Sequence, residues 1–293
     1  MQKFFSNKKA IAIFVLPSLI LFIVVVFYPL IQIFIKSFYE WNGLSKGTFI
    51  ALENYTRLFE DSTFETSIKN GLIFATFLTI YQIGLGTILA FAASNIKTKT
   101  GGFFRIVYFL PVVLSVTVVC QLWLSVFNAE YGLLNKLFEI LGIDFSQDWL
   151  SDRNNAIFVV AFVNAWQYLG YQFALILAGI KSIPTHYYEA AQIDGASPLQ
   201  AHLKITIPML AETYRFCLVL AITGGLNAFT QMFIMTNGGP GTSTYTLTYM
   251  MYSSAFRAGE YGYGMASASF LVIQCLIATI VINKLIARER IVY

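Results

Sequence analysis

Six long apolar runs constrain the fold of this chain more than any other feature of its sequence. The runs cover about residues 10–35, 70–95, 104–127, 156–181, 210–236 and 264–287. A helix needs roughly 20 mostly apolar residues to cross the hydrocarbon core of a bilayer. Charged residues form only 12% of the 293 residues, against about 25% in a typical soluble domain. The sequence therefore predicts an all-α membrane protein with six transmembrane helices in a lipid bilayer.

The first apolar run and the prolines affect how these spans are interpreted. The first run is longer than the apolar part of a secretory signal and lacks a small-residue cleavage site, so we interpret it as a retained span. Pro17 and Pro29 lie in this run, and Pro111 lies in the third. Proline is tolerated near helix ends and kinks a helix elsewhere. Pro111 therefore predicts a kink, whereas the first two prolines are compatible with either position.

Basic residues are concentrated on one side of the predicted helices. With a cytoplasmic N-terminus, the basic residues of the cytoplasmic segments are Lys3, Lys8, Lys9, Lys97, Lys99, Arg105, Lys181, Lys204, Lys284, Arg288 and Arg290. The acidic residues of these segments are only Glu189, Asp194 and Glu289, whereas acidic residues outnumber basic ones on the opposite side. Lys and Arg are enriched in the cytoplasmic loops of membrane proteins. Both termini are therefore predicted to be cytoplasmic.

The segments between the spans carry little sign of a separate domain. No linker or low-complexity tract interrupts the sequence, so residues 1–293 are predicted to form one membrane domain. Two external segments, about 36–69 and 128–155, contain "LENYTRLFED" and "YGLLNKLFEILG". Both stretches have the apolar spacing of a short helix. We expect surface helices there, which either pack at the membrane interface or contact an external partner.

Several kinds of chemistry lack the motifs that they require. The chain has no GxxxxGK[ST] loop for ATP and no GxSxG or HExxH motif, so we predict a non-catalytic chain that binds no cofactor. Cys120, Cys217 and Cys275 lie far apart in apolar runs, which argues against a disulfide framework or a metal site. No basic block suggests nucleic-acid binding. The centres of the spans lack charged residues, which argues against proton coupling but leaves sodium coupling open.

Neutral polar residues follow one helical face in each of two spans. They are Asn164, Gln167, Tyr168 and Tyr171 in the fourth run and Thr223, Asn227 and Gln231 in the fifth. Residues three or four apart share a face of a helix. Amides can bond the hydroxyls of a neutral ligand and aromatic rings can stack on it, so these faces predict a substrate pathway. Hydrogen bonding between helices explains them equally well, and it is the favoured interpretation for the single amides Gln82, Gln121 and Gln274.

A polar segment, about residues 182–209, separates the fourth and fifth runs on the cytoplasmic side. Ser182-Ile183-Pro184 resembles the beginning of a helix, and Gly195 suits a left-handed C-terminal cap. Ser197, Pro198 and Gln200 form a capping-box pattern at the start of a second helix. Pro208 disfavours helix at Ile207 and marks the expected boundary before the fifth span. The prediction is a helix of roughly 15–18 Å, a glycine turn and a second helix.

This polar segment also has the composition of a docking surface. Small residues surround the turn at Ala190, Ala191 and Ala196, which would let another surface approach closely, and Glu189 adds one charge. An unpartnered hairpin at the membrane interface remains the alternative on spacing alone.

The same segment resembles the cytoplasmic signature of permease subunits of binding-protein-dependent ABC importers. That signature reads EAA, three residues, Gly, nine residues, then I-x-L-P. Glu189-Ala190-Ala191, Gly195 and Ile205-Thr206-Ile207-Pro208 match it, with isoleucine in place of the leucine. "TNGGPGTSTYTLTYMMYSSAF" and "NAWQYLGYQFALILAGIKSIP" are similar to the carbohydrate-uptake branch that includes the larger maltose-transporter permease subunit. The likeness runs from about the second span to the C-terminus.

The resemblance implies a fold, a location and a set of partners. The fold would be that of type I importer permeases, in a bacterial-type cytoplasmic (inner) membrane. The chain would pair with a second homologous permease subunit as a heterodimer, bind two cytoplasmic ATPase subunits that use ATP and Mg, and receive a carbohydrate from an external solute-binding protein. Alternating access would move the substrate.

The resemblance also implies roles for particular residues. It assigns contact with the ATPase to Glu189, Ala190, Ala191, Asp194 and Gly195. It assigns contact with the binding protein to the external loop formed by Asn237, Gly238, Gly239 and Pro240. The family's sugar contacts match Asn164, Gln167 and residues near Asn227, but Gly225 and Ala228 are small where a maltose site is richer in amides.

Two other functions remain as alternatives. An importer for glycerol phosphate or another hydroxyl-rich solute would have the same fold, but its pathway would need arginines. An ion-coupled secondary sugar carrier would transport without ATP.

Overall fold

The computed structural model describes residues 8–94 and 99–286, which are mostly helical. The helices are α1 Lys8–Phe22, α2 Tyr28–Lys36, α3 Glu53–Glu60, α4 Ser62–Ser94, α5 Lys99–Val113, α6 Val116–Val126, α7 Leu133–Ile140, α8 Ala156–Ser182, α9 His186–Ile193, α10 Pro198–Ala201, α11 Ile207–Met209, α12 Ala211–Leu226, α13 Leu247–Tyr252 and α14 Tyr261–Leu285. Wider π-helical turns span Ile23–Phe27, His202–Thr206, Met232–Thr236 and Ser253–Arg257. The strands β1 Tyr39–Glu40 and β2 Thr48–Phe49 pair antiparallel.

The apolar helices confirm a membrane bundle but not six uninterrupted spans. Among the described residues, three stretches are long and apolar enough to cross a membrane: Ala12–Lys36, Ser62–Ser94 and Tyr261–Leu285. Two bent helix pairs raise this number to five if each pair is one span. The 27-residue helix α8, predicted as the fourth span, does not meet the same hydropathy test. Its amides lower its mean hydropathy, because each one adds a strongly polar group.

Parts of the predicted topology lie outside the described residues. The predicted ends of the second and sixth spans fall there, and so do both termini and the basic residues Lys3, Lys97, Arg288 and Arg290. The cytoplasmic position of the termini therefore stays a prediction.

The third predicted span is broken rather than kinked. Helix α5 ends at Val113 and α6 begins at Val116, and the two are bent by 98°. Ser115 has an extended backbone (φ −58°, ψ 137°), which ends the hydrogen-bond ladder. Pro111 lies in the last turn of α5, where its ring disfavours continuation of the helix. The single kinked helix predicted over 104–127 is therefore corrected to two helices.

The fifth predicted span is also interrupted. Helix α12 ends at Leu226, and helical turns resume only near the π turn Met232–Thr236. The Ala228 carbonyl, which the break leaves without a helical partner, accepts a hydrogen bond from Thr248 Oγ1 at 2.6 Å. A continuous face through Thr223, Asn227 and Gln231 was the sequence prediction, and the break makes it wrong.

The polar segment confirms the helix–glycine–helix prediction, with two corrections. Helix α8 continues to Ser182, so α9 is only eight residues, or about 12 Å, long. The second helix does not stop before Pro208 but continues to Met209 and bends by 69° at Leu210. The Ile207 N–H donates to the His202 carbonyl, five residues back, and this π turn carries the helix past the proline.

The chain separates into two compact units, residues 1–62 with 250–270 and residues 63–249 with 271–293. In the described part of the first unit, α3 confirms the helix predicted at "LENYTRLFED", whereas the β1–β2 hairpin was not predicted. The buried Asn54 amide donates to the carbonyls of Ser37 and Tyr39 at 2.9 and 3.0 Å. Arg57 donates to Glu260 at 2.8 Å, and this hydrogen bond raises the pKa of the guanidinium.

The second unit contains the rest of the bundle and two apolar clusters. One cluster joins α4, α6, α8 and the chain after α12, with Phe74, Val160 and Met232 fully buried. The other joins the end of α4 to α8 and α12 around Ala90, Ile176 and Cys217. Helix α7 confirms the second predicted surface helix. The clusters fix the four helices that surround the candidate site.

Candidate functional site

A cavity of about 380 Å³ lies within the second unit, among α4, α6, α8, α12 and the break that follows α12. Its lining residues are Leu78, Gln82, Val116, Asn164, Tyr168, Tyr171, Gln172, Leu220, Ala221, Gly224, Gly225, Asn227, Ala228, Phe229, Thr230 and Gln231. No charged residue is among these lining residues. The volume falls within the roughly 300–1,000 Å³ of small-molecule sites.

Close packing at Gly225 positions two of the cavity walls. A Cβ atom at Gly225 would lie 2.8 Å from Ala75 Cα, closer than such contacts normally come. Glycine therefore lets α12 approach α4, and the wall of the cavity on this side is backbone and small side chains. The departure from an amide-rich maltose-type pattern at Gly225 thus has a packing explanation.

Three buried amides line the cavity without a partner in the protein. Gln82, Asn164 and Gln231 are 2%, 7% and 3% exposed. Their side chains make no hydrogen bond with any residue that the structure describes, and their polar atoms are not fully enclosed by the protein. Tyr168 is half-buried and Tyr171 is exposed on the same face of α8. The cavity therefore offers amide donors and acceptors next to aromatic rings.

The structure divides the predicted pathway residues into two groups. Asn164, Tyr168, Tyr171, Asn227 and Gln231 line the cavity, whereas Gln167 and Thr223 do not.

The two remaining side chains bond to backbone elsewhere. Gln167 Nε2 donates to the Leu114 carbonyl at 3.0 Å, next to the break between α5 and α6. Thr223 Oγ1 donates to the Val219 carbonyl within its own helix at 2.6 Å. The predicted four-residue face of α8 is therefore incomplete at the cavity.

Two cavity residues were not predicted as pathway residues from the sequence. Gln172 is 3% exposed, and its Nε2 donates to the Cys217 carbonyl at 3.4 Å. It follows Asn164 and Tyr168 at intervals of four, a spacing visible in the sequence. For Gln82, the sequence favoured a hydrogen bond between helices, yet its side chain lines the cavity.

The predicted docking residues surround a well-formed helix terminus. Gly195 has φ +78°, and the N–H groups of Gly195 and Ala196 donate to the carbonyls of Gln192 and Ala191 at 3.1 and 2.9 Å. These two bonds form a Schellman motif. Of the other predicted contact residues, Glu189, Ala190 and Asp194 are exposed and Ala191 is half-buried.

The second helix of the segment begins with the predicted capping box. Ser197 Oγ accepts a hydrogen bond from the Gln200 N–H at 3.3 Å, and Gln200 Oε1 accepts one from the Ser197 N–H at 2.8 Å. The turn between the two helices is therefore fixed on both sides by its own hydrogen bonds.

The predicted external loop is held by a buried tyrosine. Tyr249 OH donates to the Asn237 carbonyl at 2.6 Å, and Asn237 has a left-handed backbone (φ 52°). Gly238 is buried, and a Cβ there would lie 2.5 Å from the rings of Tyr245 and Tyr249. The Gly239–Pro240 peptide is cis. Asn237 is exposed, so it is the loop residue most open to a partner.

Comparisons with known proteins agree with this architecture. Residues 82–291 match the family described as "Binding-protein-dependent transport system inner membrane component". The chain is 36% identical over 271 residues to "Probable ABC transporter permease protein YurN" of Bacillus subtilis (strain 168), covering 92% of each chain. It is 36% identical over 274 residues to "Multiple sugar-binding transport system permease protein MsmF" of Streptococcus mutans, covering 93% of each.

A solved structure shares the fold. A chain of a bacterial alginate ABC transporter, crystallised with an alginate pentasaccharide-bound periplasmic protein, superposes with a TM-score of 0.85. The similarity covers 99% of this chain and 98% of that one at 21% sequence identity. The family match and the two relatives therefore establish that this chain belongs to the inner-membrane components of binding-protein-dependent transport systems, the permeases of ABC importers.

Proposed function

We propose that this chain is the transmembrane permease subunit of an ATP-driven ABC importer for a neutral carbohydrate, in the cytoplasmic (inner) membrane. The observation that carries the choice of substrate is the set of unpartnered, buried amides Gln82, Asn164 and Gln231 in an uncharged cavity. The relative MsmF, named for multiple sugars, supports the same class.

The chemistry of the cavity suits a solute with many hydroxyl groups. Because these amides bond no described residue, a ligand can bond them without breaking a hydrogen bond of the protein. Each amide presents two donors and two acceptor sites, and a hydroxyl can bond either kind. Tyr168, Tyr171 and Phe229 add apolar ring surface beside them. A sugar would satisfy the amides with its hydroxyls and cover the rings with its C–H groups.

An anionic solute fits this cavity less well. A phosphate group buried without a cation would lose its hydration without gaining a counter-charge. The cavity lining contains no Lys or Arg. Glycerol phosphate therefore remains the second candidate substrate, and the transport assay below distinguishes it from a sugar.

Transport by this chain requires partners that supply energy and substrate. We assign ATP and Mg to a separate pair of cytoplasmic ATPase subunits, and the other half of the pathway to a second permease subunit. The exposed residues Glu189, Ala190 and Asp194 give α9 a free surface for the ATPase. An external solute-binding protein would approach the loop at Asn237. Closure of the ATPase dimer would move α9 and alternate the access of the cavity.

The test of this function is uptake into proteoliposomes that contain the complete importer. The permease pair, its ATPase and its binding protein are reconstituted, and labelled neutral sugars and glycerol phosphate are compared. We expect ATP-dependent uptake of a neutral sugar and ATP hydrolysis stimulated by the loaded binding protein. Uptake that persists without ATP in a sodium or proton gradient would show a secondary carrier instead. Selective uptake of glycerol phosphate would contradict the choice of a neutral substrate.

A mutation tests the assignment of α9 to the ATPase. Gly195→Pro forces φ near −65° where the turn has φ +78°, so the end of α9 must change. Glu189→Lys reverses an exposed charge on the same helix. We expect both variants to insert at normal levels but to copurify at least about tenfold less ATPase, as a loss of roughly 1.4 kcal/mol requires. Unchanged copurification and stimulated hydrolysis in both variants would show that α9 is not the docking helix.

A further inference from the structure

Helix α9 is attached to the remainder of its unit by very little buried surface. Of its residues, only Tyr188 and Ala191 are half-buried, and the others are exposed. Tyr188 packs against the apolar cluster around Ile176 and Ile180. Apart from the two chain connections of α9, a displacement of this helix must therefore pass mainly through the Tyr188 side chain.

The Tyr188 hydroxyl makes a hydrogen bond inside the unit. It lies 2.9 Å from Thr206 Oγ1, and Thr206 is fully buried. Thr206 ends the π turn His202–Thr206, which leads through α11 to the 69° bend before α12. This contact therefore joins α9 to the base of the broken fifth span.

Thr206 is in turn connected to α4. His202 Nδ1 lies 3.2 Å from Thr206 Oγ1, and a hydroxyl can donate one hydrogen bond while it accepts another. The His202 ring stacks on Phe91 with centroids 4.5 Å apart and planes at 18°. Phe91 lies in the last turn of α4, nine residues after the cavity residue Gln82, or roughly 13 Å along the helix.

We propose that Tyr188, Thr206 and His202 form a side-chain relay that transmits movement of α9 to α4 and α12. The three are positioning residues for coupled transport, because they contact neither nucleotide nor the cavity but fix how α9 is held against the helices that line it. His202 and Thr206 are four residues apart in this helical turn, so their side chains can meet on one face. This inference rests on the proposed function, since it concerns how ATP hydrolysis is coupled to transport.

The relay predicts that removal of one hydroxyl uncouples ATP hydrolysis from substrate transport. The measurement is the number of substrate molecules transported per ATP hydrolysed by the reconstituted importer, with ATPase copurification recorded beside it. Tyr188→Phe keeps the ring in the apolar cluster and removes only the hydroxyl, and Thr206→Val is nearly isosteric. We expect each to lower the transport ratio about three- to tenfold, the range of one modest hydrogen bond, with the ATPase still bound.

Three further variants test the connection itself. Tyr188→Phe combined with Thr206→Val should be no worse than the more severe single variant, because both remove the same bond. Thr206→Ser keeps the hydroxyl and should keep the transport ratio of the unmodified importer. His202→Ala should lower the ratio, since it removes the stacking on Phe91. Tyr28→Phe is the matched control, because this tyrosine is 60% exposed and lies on α2 rather than on the docking helix α9.

The outcomes distinguish the relay from the proposed function. An unmodified chain that binds no ATPase and shows no ATP-driven uptake would contradict the function. If the unmodified importer works and Tyr188→Phe and Thr206→Val keep its transport ratio, the relay is wrong while the function stands. Additive losses in the double variant, or a lowered transport ratio in Thr206→Ser, would likewise contradict a shared contact. Because Tyr188→Phe leaves the apolar packing intact, it decides the matter even if Thr206→Val does not assemble.

Discussion

Two amides of α8, only three residues apart, face different surroundings. Asn164 lines the cavity and makes no hydrogen bond with the described protein, whereas Gln167 Nε2 donates to the Leu114 carbonyl. Residues at i and i+3 lie about 60° apart around a helix with 3.6 residues per turn. This angle is enough to turn one amide to the cavity and the other to the broken third span. The two residues should therefore respond differently to the same substitution.

We predict that Asn164→Leu lowers transport while the importer remains assembled. Leucine is similar in size but offers no hydrogen bond to a hydroxyl-rich solute, so uptake at low substrate should fall about tenfold for a loss of roughly 1.4 kcal/mol. The measurement is uptake kinetics with ATPase copurification. Gln121→Leu is the control, because Gln121 is an exposed amide of α6 that is not among the cavity residues. Unchanged kinetics for Asn164→Leu would assign Asn164 a structural role.

Gln167→Leu should instead reduce stability with little effect on the substrate. The substitution leaves the Leu114 carbonyl without its donor, but it also removes Gln167 Oε1, which is buried without a partner among the described residues. The expected net loss is about 1 kcal/mol, near the lower end for an orphaned buried group. Thermal unfolding of the purified importer measures it. A variant with normal stability but a raised KM for transport would place Gln167 in the pathway.

Among the elements, α5 and α8 cross so closely that only glycine fits at one point. A Cβ atom at Gly170 of α8 would overlap the backbone carbonyl oxygen of Tyr108 on α5. Tyr108 also packs its ring edge-to-face on Phe173, with centroids 5.5 Å apart. The position of α5, and with it the bend at Leu114, thus depends on the absence of a side chain at Gly170.

We predict that Gly170→Ala destabilises the chain by about 1–3 kcal/mol, the usual cost of an overpacked buried contact. The two helices must separate to admit the methyl group, because the opposing atoms are backbone. Gly84→Ala on α4 is the matched control, since a Cβ there meets nothing within 4 Å. It should be neutral or stabilising by about 0.5–1 kcal/mol, because alanine favours helix over glycine. Equal unfolding temperatures for the two variants would contradict the close crossing.

For the whole molecule, local signals in the sequence predicted local structure well. The capping residues Ser197 and Gln200 and the left-handed Gly195 form the expected contacts, because each depends on neighbours within a few residues. The breaks after Val113 and Leu226 were not predicted as such. At the second break, Thr248 Oγ1 donates a hydrogen bond to the carbonyl of Ala228, about twenty residues earlier in the sequence. A hydropathy pattern does not encode such a contact.

The candidate site shows the same division between local and distant information. Helical periodicity predicted Asn164 and Tyr168 correctly as neighbours on one face of α8. It could not separate Gln167 from them, because the direction of an amide depends on which helix packs there. Gln82 lines the cavity, and the neighbouring wall depends on the approach of α12 to α4 at Gly225. Tertiary packing therefore decides which polar residues of a span are available to a ligand.

The orientation of the whole chain gives a final prediction. Tyr131 precedes α8 in the sequence and Leu199 follows it, and their side chains are 65% and 68% exposed. From the distribution of basic residues, we predict that the first lies outside and the second in the cytoplasm. In intact cells, a membrane-impermeant thiol reagent should label Tyr131→Cys but should label Leu199→Cys only after lysis. The native Cys120 and Cys217 are buried and Cys275 is half-buried, so the unmodified chain supplies the background. Labelling of both variants from outside would contradict the orientation, and with it the cytoplasmic position of α9.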